Sequence, residues 1–407
     1  MADHSHADID GRYAWTRLAL SVLIATIGSV GMWSVVVVLP AVQVEFGVDR
    51  AFASLPYTMT MVGFGLGNFL IGRMIDRSGI VPPMLFSAAC LVVGHTAGAL
   101  APSILVYSLF QAMVGFGAAA TFGPLIADVS HWFVKRRGVA VAAAACGNYI
   151  AGAIWPLAMQ WTLPTEGWRF TYFVIAGVCL VAIPPLTLFL RRRPLHQTAP
   201  AGSMAAEPPP PRSIDLSPRA LQVMLAIAGL GCCVAMSMPQ VHIVAYCVDL
   251  GYGMARGAEM LSLMLVGGIA SRLVSGFLAD RIGGVKTLLI GSVLQCIALL
   301  AYIPFDGLAS LYMVSLIFGL SQGGIVPSYA IIVREYLPAR QAGGIVGLIM
   351  MATIVGMALG GWLSGLVYDL TGSYQAAFLN GIAWNTLNIA IMAMILWRTG
   401  SRRPATA

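Results

Sequence analysis

Apolar runs close to twenty residues long, separated by short charged or Gly/Pro-containing breaks, recur along the whole chain. A hydrocarbon core about 30 Å thick takes roughly 20 helical residues to cross, and twelve runs approach or exceed that length. The first six cover 18–40, 53–75, 84–102, 104–133, 139–161 and 170–190; the second six cover 221–247, 260–279, 287–303, 311–336, 345–367 and 376–397. The fifth and eleventh are rich in Gly and Ala, which suits close helix–helix approach in lipid. One long polar break, 191–219, interrupts the series. It opens with Arg191, Arg192 and Arg193, runs through Pro208, Pro209, Pro210 and Pro211, and closes near Pro218. So proline-rich and apolar-poor a stretch packs no core and reads as a tether. The pattern predicts an all-α polytopic membrane protein of twelve transmembrane helices in two six-helix bundles, 1–190 and 220–407, joined by the linker 191–219. Residues 1–13 are polar and the first apolar run is too long for a signal core, so no cleaved leader is expected.

Composition agrees with the pattern. Of 407 residues 58% are hydrophobic and 10% charged, with a mean hydropathy of +0.84, whereas soluble domains carry about a quarter charged residues. A cytosolic enzyme, a nucleic-acid binder and a disordered regulator are thereby excluded. The net charge of +7 would suit nucleic acid, but its placement answers a different question. With the N-terminus cytoplasmic, 19 of the 23 Lys and Arg residues fall on cytoplasmic segments, Arg50, Arg169 and Arg256 fall outside, and Arg272 falls within a helix. This is the positive-inside bias. It predicts a multi-pass protein of the cell inner membrane with both termini cytoplasmic and no nucleic-acid partner. The seven cysteines show no metal-ligand spacing, so no metal is expected. No phosphate-binding loop is present, no cofactor is implied, and no pair of catalytic residues suggests an intramembrane enzyme. A monomer is the expected state.

The two halves repeat at an offset of 204 residues. Gly72, Asp76, Arg77 and Gly79 recur as Gly276, Asp280, Arg281 and Gly283, and Gly47 and Arg136 recur as Gly251 and Arg340. Two Gly-x-x-x-Asp-Arg-x-Gly loops, each after the second helix of its half, are a specific signal. They resemble the loops of the major facilitator superfamily, over nearly the whole chain. That resemblance implies two bundles around a central cavity, a site near the bilayer midplane and rocker-switch alternating access. It also implies that the Asp–Arg loops, with Arg136 and Arg137, act as cytoplasmic latches holding the outward-open state. Trp132, Phe133, Lys135, Arg136, Arg137 and Gly138 look like the Trp-Phe-x-x-Arg-Arg-Gly loop of the monocarboxylate and oxalate/formate carrier branch. Val241 to Tyr246 with Asp249, and Arg272 where that branch grips a substrate carboxylate, are similar to it as well. Departures are visible. Gln111 stands where sugar and drug carriers have an arginine, and Gly268 where animal monocarboxylate carriers have an aspartate. Around Met350 to Val355 only Thr353 is polar, where oxalate carriers have a second basic residue.

Arg272 is the leading site candidate on its residue type alone. A charge within the bilayer is costly and normally faces a cavity or a partner. No acid lies at comparable depth, and a guanidinium fork matches a carboxylate in bidentate fashion. Snorkelling to the nearby helix end is the competing reading. The repeat places Asn68 opposite Arg272. Asn148 and Tyr149 in the fifth helix, and Gln322 and Tyr329 in the tenth, are further substrate-binding candidates, each of which a packing role would also explain. His242 is a candidate proton carrier, and Asp128 with His131 reads as a cytoplasmic charge network. These residues predict a secondary active transporter of a small organic anion, a monocarboxylate foremost, with proton symport as an option. An efflux carrier for an amphipathic compound stays open as an alternative, as does a non-transporting membrane sensor.

Overall fold

The structure, a computed structural model, describes residues 9–192 and 214–400, excepting the side chains at 76, 339–341 and 400. The calls on residues 193–213, which include most of the linker, and on the Asp76 and Arg340 side chains lie outside the described residues. Among the described residues fifteen helical segments make the twelve spans. In the first half, α1 (Arg12–Gly28) and α2 (Val30–Phe46) form one broken span, followed by α3 (Arg50–Ser78) and α4 (Val81–Ala99). Next come α5 (Ile104–Ala120) with α6 (Gly123–His131) as a second broken span, then α7 (Arg137–Met159) and α8 (Leu163–Leu188). The second half has α9 (Pro218–Asp249), α10 (Gly253–Ile282) and α11 (Gly284–Ala301). A third broken span, α12 (Leu308–Gln322) and α13 (Ile325–Tyr336), precedes α14 (Ala339–Thr371) and α15 (Tyr374–Gly400). Eleven spans are long and apolar enough to cross a membrane. The remaining one, α3, has the length at 29 residues but dilutes its apolar side chains with Ser, Thr, Tyr and Asn.

The 204-residue repeat has a structural basis at one helix crossing in each half. A Cβ placed on Gly63 of α3 would lie 1.9 Å from the Ala112 carbonyl oxygen, and one on Gly115 of α5 would lie 1.9 Å from that of Thr60. At the equivalent crossing of α10 and α12, a Cβ on Gly319 would lie 2.1 Å from the Met264 oxygen, and one on Gly267 3.0 Å from that of Leu316. Backbone meets backbone at both crossings, the close approach that small residues permit in lipid. Gly115→Ala and Gly319→Ala are each expected to destabilise by about 1–3 kcal/mol through forced separation of the helices. The check is the thermal midpoint of the detergent-solubilised protein; an unchanged midpoint would contradict the crossing. The last glycine of each repeated loop also has a local cause. Gly79 and Gly283 end α3 and α10 with φ of 78° and 87°, a region that L side chains rarely adopt.

The loops carrying Arg73, Arg77, Lys135, Arg136, Arg137 and Arg281 lie at one end of the bundle, here termed the basic face. The halves meet along α3 with α14, α7 with α10 and α2 with α9. Their cross-half bonds lie at the far face and in the middle: Arg50 with Asp249, Thr58 with the Ala358 oxygen, and Arg272 with the Ala145 oxygen. Toward the basic face, Gly72 on α3, Gly276 on α10 and Gly343, Gly344 and Gly347 on α14 have open space beside them. The cross-half bonds thus gather at the far face and in the middle of the bundle.

Candidate functional site

Arg272 lies on α10 where that helix runs against the break between α12 and α13. The break is glycine by necessity: a Cβ on Gly323 would lie 2.2 Å from the Gly268 oxygen, and one on Gly324 2.0 Å from Ser275 Oγ. Gly323 caps α12, and its carbonyl, released from the helical ladder, accepts a hydrogen bond from Arg272 Nε at 3.3 Å. Arg272 Nη1 donates across the half boundary to the Ala145 carbonyl of α7 at 2.8 Å. The guanidinium carbon sits 4.4 Å from the centre of the Tyr149 ring, within cation–π range. Nη2 has no hydrogen-bond partner among the described residues, and the residue is half-buried, so part of the fork faces open space.

Tyr149 reaches this position because Gly268 leaves room for it; a Cβ there would lie 2.8 Å from the ring. Beside it, Asn148 receives Trp33 Nε1 on both its main-chain and side-chain oxygens, each at 3.1 Å. That leaves its Nδ2 as a donor with no partner among the described residues. The structure thus brings Arg272 and Tyr149 together at the boundary between the halves, with Asn148 next to Tyr149 on α7 and bonded to Trp33.

The other sequence candidates are placed elsewhere. Asn68 donates to the Phe64 oxygen of its own helix at 2.9 Å and makes no contact with Arg272. Tyr329 donates to Asn388 Oδ1 at 2.8 Å, and Asn388 in turn to Ser292 Oγ, so Tyr329 belongs to a buried network inside the second half. Gln322 precedes the Gly323 that holds Arg272. Its Oε1 accepts from Gln240 Nε2 at 2.6 Å, while Gln322 Nε2 and Gln240 Oε1 are buried without partners. His242 is fully buried and wedged into a chain of bonds: its Nε2 faces the Gly361 oxygen at 2.8 Å and its Nδ1 faces the Tyr374 hydroxyl at 3.4 Å.

That chain leads to a feature the sequence did not disclose. Arg50, read only as a cation outside the membrane, is 6% exposed. It donates to Tyr374 at 2.5 Å and to both oxygens of Asp249 at 3.1 and 3.2 Å, and its guanidinium lies 4.8 Å from the Tyr368 ring centre. Arg50 belongs to the first half and every one of these partners to the second. Charge counting assigns a residue to a side; it does not show what the residue meets there.

At the basic face Asp128 pairs with Arg17, so the proposed network with His131 is corrected. Arg17 Nε and Nη2 donate to the two Asp128 oxygens at 2.8 and 2.9 Å, with Arg17 only 1% exposed. Arg137 donates to the Ser130 and Phe133 carbonyls at the end of α6, and Arg136 lies over Trp15. Asp280 and Arg281 make no ion pair among the described residues. Asp10 ties the chain start to this loop by accepting from the Lys135 and Val134 N–H groups at 3.0 and 3.2 Å. The Lys135 bond, foremost, holds the Asp10 carboxyl below its usual value. The tie is therefore present at neutral pH and loosens only as pH falls through that lowered value.

A Major Facilitator Superfamily model matches residues 21–352 and 258–407. Monocarboxylate transporter 13 of Rattus norvegicus is 25% identical over 80% of this chain and 75% of its own length. Monocarboxylate transporter 11 of Homo sapiens is 29% identical over 74% and 66%. The Agnestins efflux protein AgnL12 of Paecilomyces divaricatus is 24% identical over 77% and 71%. Among solved structures, a bacterial homologue of the human lysosomal transporter Spinster, inward-facing and unoccupied, superposes with a TM-score of 0.73. It shares 14% identity, over 96% of this chain and 98% of the other. The nucleoside transporter NupG gives a TM-score of 0.69 at 16% identity over 93% and 99%. With twelve helical spans, a repeat of two bundles and this family match, the chain belongs to the Major Facilitator Superfamily of membrane transporters.

Proposed function

We propose that this protein is a secondary active carrier of a small organic anion, a monocarboxylate foremost, working by rocker-switch alternating access. One observation carries the reading: Arg272 is a cation at the half boundary that has no acidic partner. Buried Arg17 and Arg50, half-buried Arg169 and exposed Arg256 are each paired with a carboxylate, whereas Arg272 is held by two main-chain carbonyls. A carboxylate brings a full opposite charge and a geometry that matches the guanidinium fork in bidentate fashion, so it can displace those carbonyls. The Ala145 carbonyl belongs to the opposite half. A substrate that takes the guanidinium from it dissolves a bond between the halves, which links occupancy to their motion. The Tyr149 face and the Asn148 amide would complete the site, and the wall beyond Gln322 would fix the rest of the substrate.

The coupled proton, where one is used, would travel on the substrate or through His242. The Asp–Arg loops and Arg136–Arg137 would latch the basic face in the alternate state, with that face cytoplasmic and the protein, as a monomer, in the inner membrane. The moving bodies would be residues 1–190 and 220–407, tethered by 191–219. A relative named as an efflux protein supports export of an amphipathic compound as the second reading.

The test is uptake into proteoliposomes of labelled lactate, pyruvate, formate and oxalate, with and without a pH gradient. Saturable, mutually competitive uptake of the monocarboxylates is expected, with oxalate poor because its second carboxylate finds no second cation. If no carboxylate enters or competes, the reading fails.

A further inference from the structure

Asp49 is the N-cap residue of α3. Its backbone is extended (φ −66°, ψ 164°), the geometry from which an aspartate accepts the second and third N–H groups of a helix, yet it makes no cap hydrogen bond and its side chain is exposed. The first N–H groups of α3 are instead held from the other half. Asp369, near the end of α14, accepts from the Arg50 N–H at 2.9 Å and the Ala51 N–H at 2.7 Å. The Ala51 N–H is thus within the reach of one carboxylate in its own half and bonded to another in the opposite half. Both are aspartates, and a helix N-terminus favours a negative charge wherever it comes from. Around this contact Arg50 binds Asp249 and Tyr374, and a Cβ on Gly365 of α14 would lie 2.8 Å from the Arg50 carbonyl oxygen. The far face is sealed on this cluster.

We propose that the far-face gate of this protein works by cap exchange: Asp369 caps α3 while the halves are closed there, and Asp49 takes over the Ala51 N–H when they part. The inference rests on the alternating-access reading but is independent of which solute is carried. Exchange lowers the obstacle to opening, since the Ala51 N–H keeps a carboxylate partner throughout, while the Arg50 bonds and the Thr58 bond to the Ala358 oxygen are lost. The two aspartates therefore act in opposite directions: Asp369 favours the closed far face and Asp49 the open one.

Thr58 reports on the gate. It lies eight residues beyond Arg50 on α3, partly buried, and donates to the Ala358 oxygen across the boundary at 3.0 Å. In a Thr58→Cys protein, labelling by a membrane-impermeant maleimide applied at the far face reads the open population. The parent without that cysteine is the control, since the native cysteines are buried or, for Cys296, half-buried. Adding Asp369→Ala is expected to speed labelling about tenfold, the scale of losing charged hydrogen bonds. Adding Asp49→Ala is expected to slow it about fivefold, the scale of losing one cap. Loss of fold would speed both, so the opposite signs separate the mechanism from damage. Faster or unchanged labelling in Asp49→Ala, or unchanged labelling in Asp369→Ala, overturns cap exchange while leaving alternating access standing. If Thr58→Cys is never labelled in any background, alternating access fails and the gate with it.

Discussion

Arg272→Ala is expected to abolish saturable carboxylate binding by the purified protein while leaving its thermal midpoint close to that of the parent. Removing one member of a desolvated, hydrogen-bonded charge pair costs about 2–5 kcal/mol, which is about 30-fold or more in Kd. Stability should change little because Arg272 is bonded to two neutral carbonyls, and no buried carboxylate is orphaned when it leaves. Arg272→Lys separates charge from geometry. It keeps the cation but loses the planar fork and its stacking on Tyr149, so it should bind with intermediate affinity. Isothermal titration with lactate or pyruvate reads both variants. An Arg272→Ala protein that binds either with parental affinity removes the basis for a carboxylate substrate.

Asp128→Ala is expected to show the reverse profile, with a large loss of stability and no direct effect on binding. The Arg17 guanidinium would be left buried beside Trp132, 4.7 Å from its ring centre, with Nε and Nη2 unpaired and only Nη1 still bonded, to the Tyr13 hydroxyl and the Arg192 carbonyl. Breaking a buried pair from one side costs about 3–5 kcal/mol, whereas replacing both members by apolar residues is often neutral. The double variant Arg17→Met/Asp128→Leu should therefore recover most of what Asp128→Ala loses. The comparison is made by thermal aggregation monitored through size-exclusion fluorescence. Equal midpoints for parent and Asp128→Ala would show that the pair contributes nothing.

Helix number, the bundle repeat and the family were readable in the sequence because each is written in patterns longer than a turn: apolar runs, a 204-residue offset, a repeated loop. Arg272 was readable because a charge in a lipid-spanning run stands out by type alone. Its contacts were not, since the Ala145 and Gly323 carbonyls are main-chain atoms that no residue identity announces. Helix breaks at Ser29 and between Ala120 and Gly123 were hidden inside unbroken apolar runs. Arg50 and Asp369 were missed for a different reason. They sit at helix ends, where charges are ordinary, and only the approach of two segments more than 300 residues apart makes them a pair. Tyr329 shows the opposite error: a polar side chain in a suitable helix, spent on an internal bond to Asn388.

The glycine crossings have one more implication. Thr60 and Met264 stand at matched places in the two halves and share no chemistry, yet each presents the same main-chain oxygen to a glycine. What the two segments share there is an absence, the missing side chain on Gly115 and Gly319, while the residue opposite differs. Likeness between the halves at these crossings therefore lies in backbone geometry and not in the side chains opposite the glycines. It is recorded most faithfully at the positions where nothing is allowed to be.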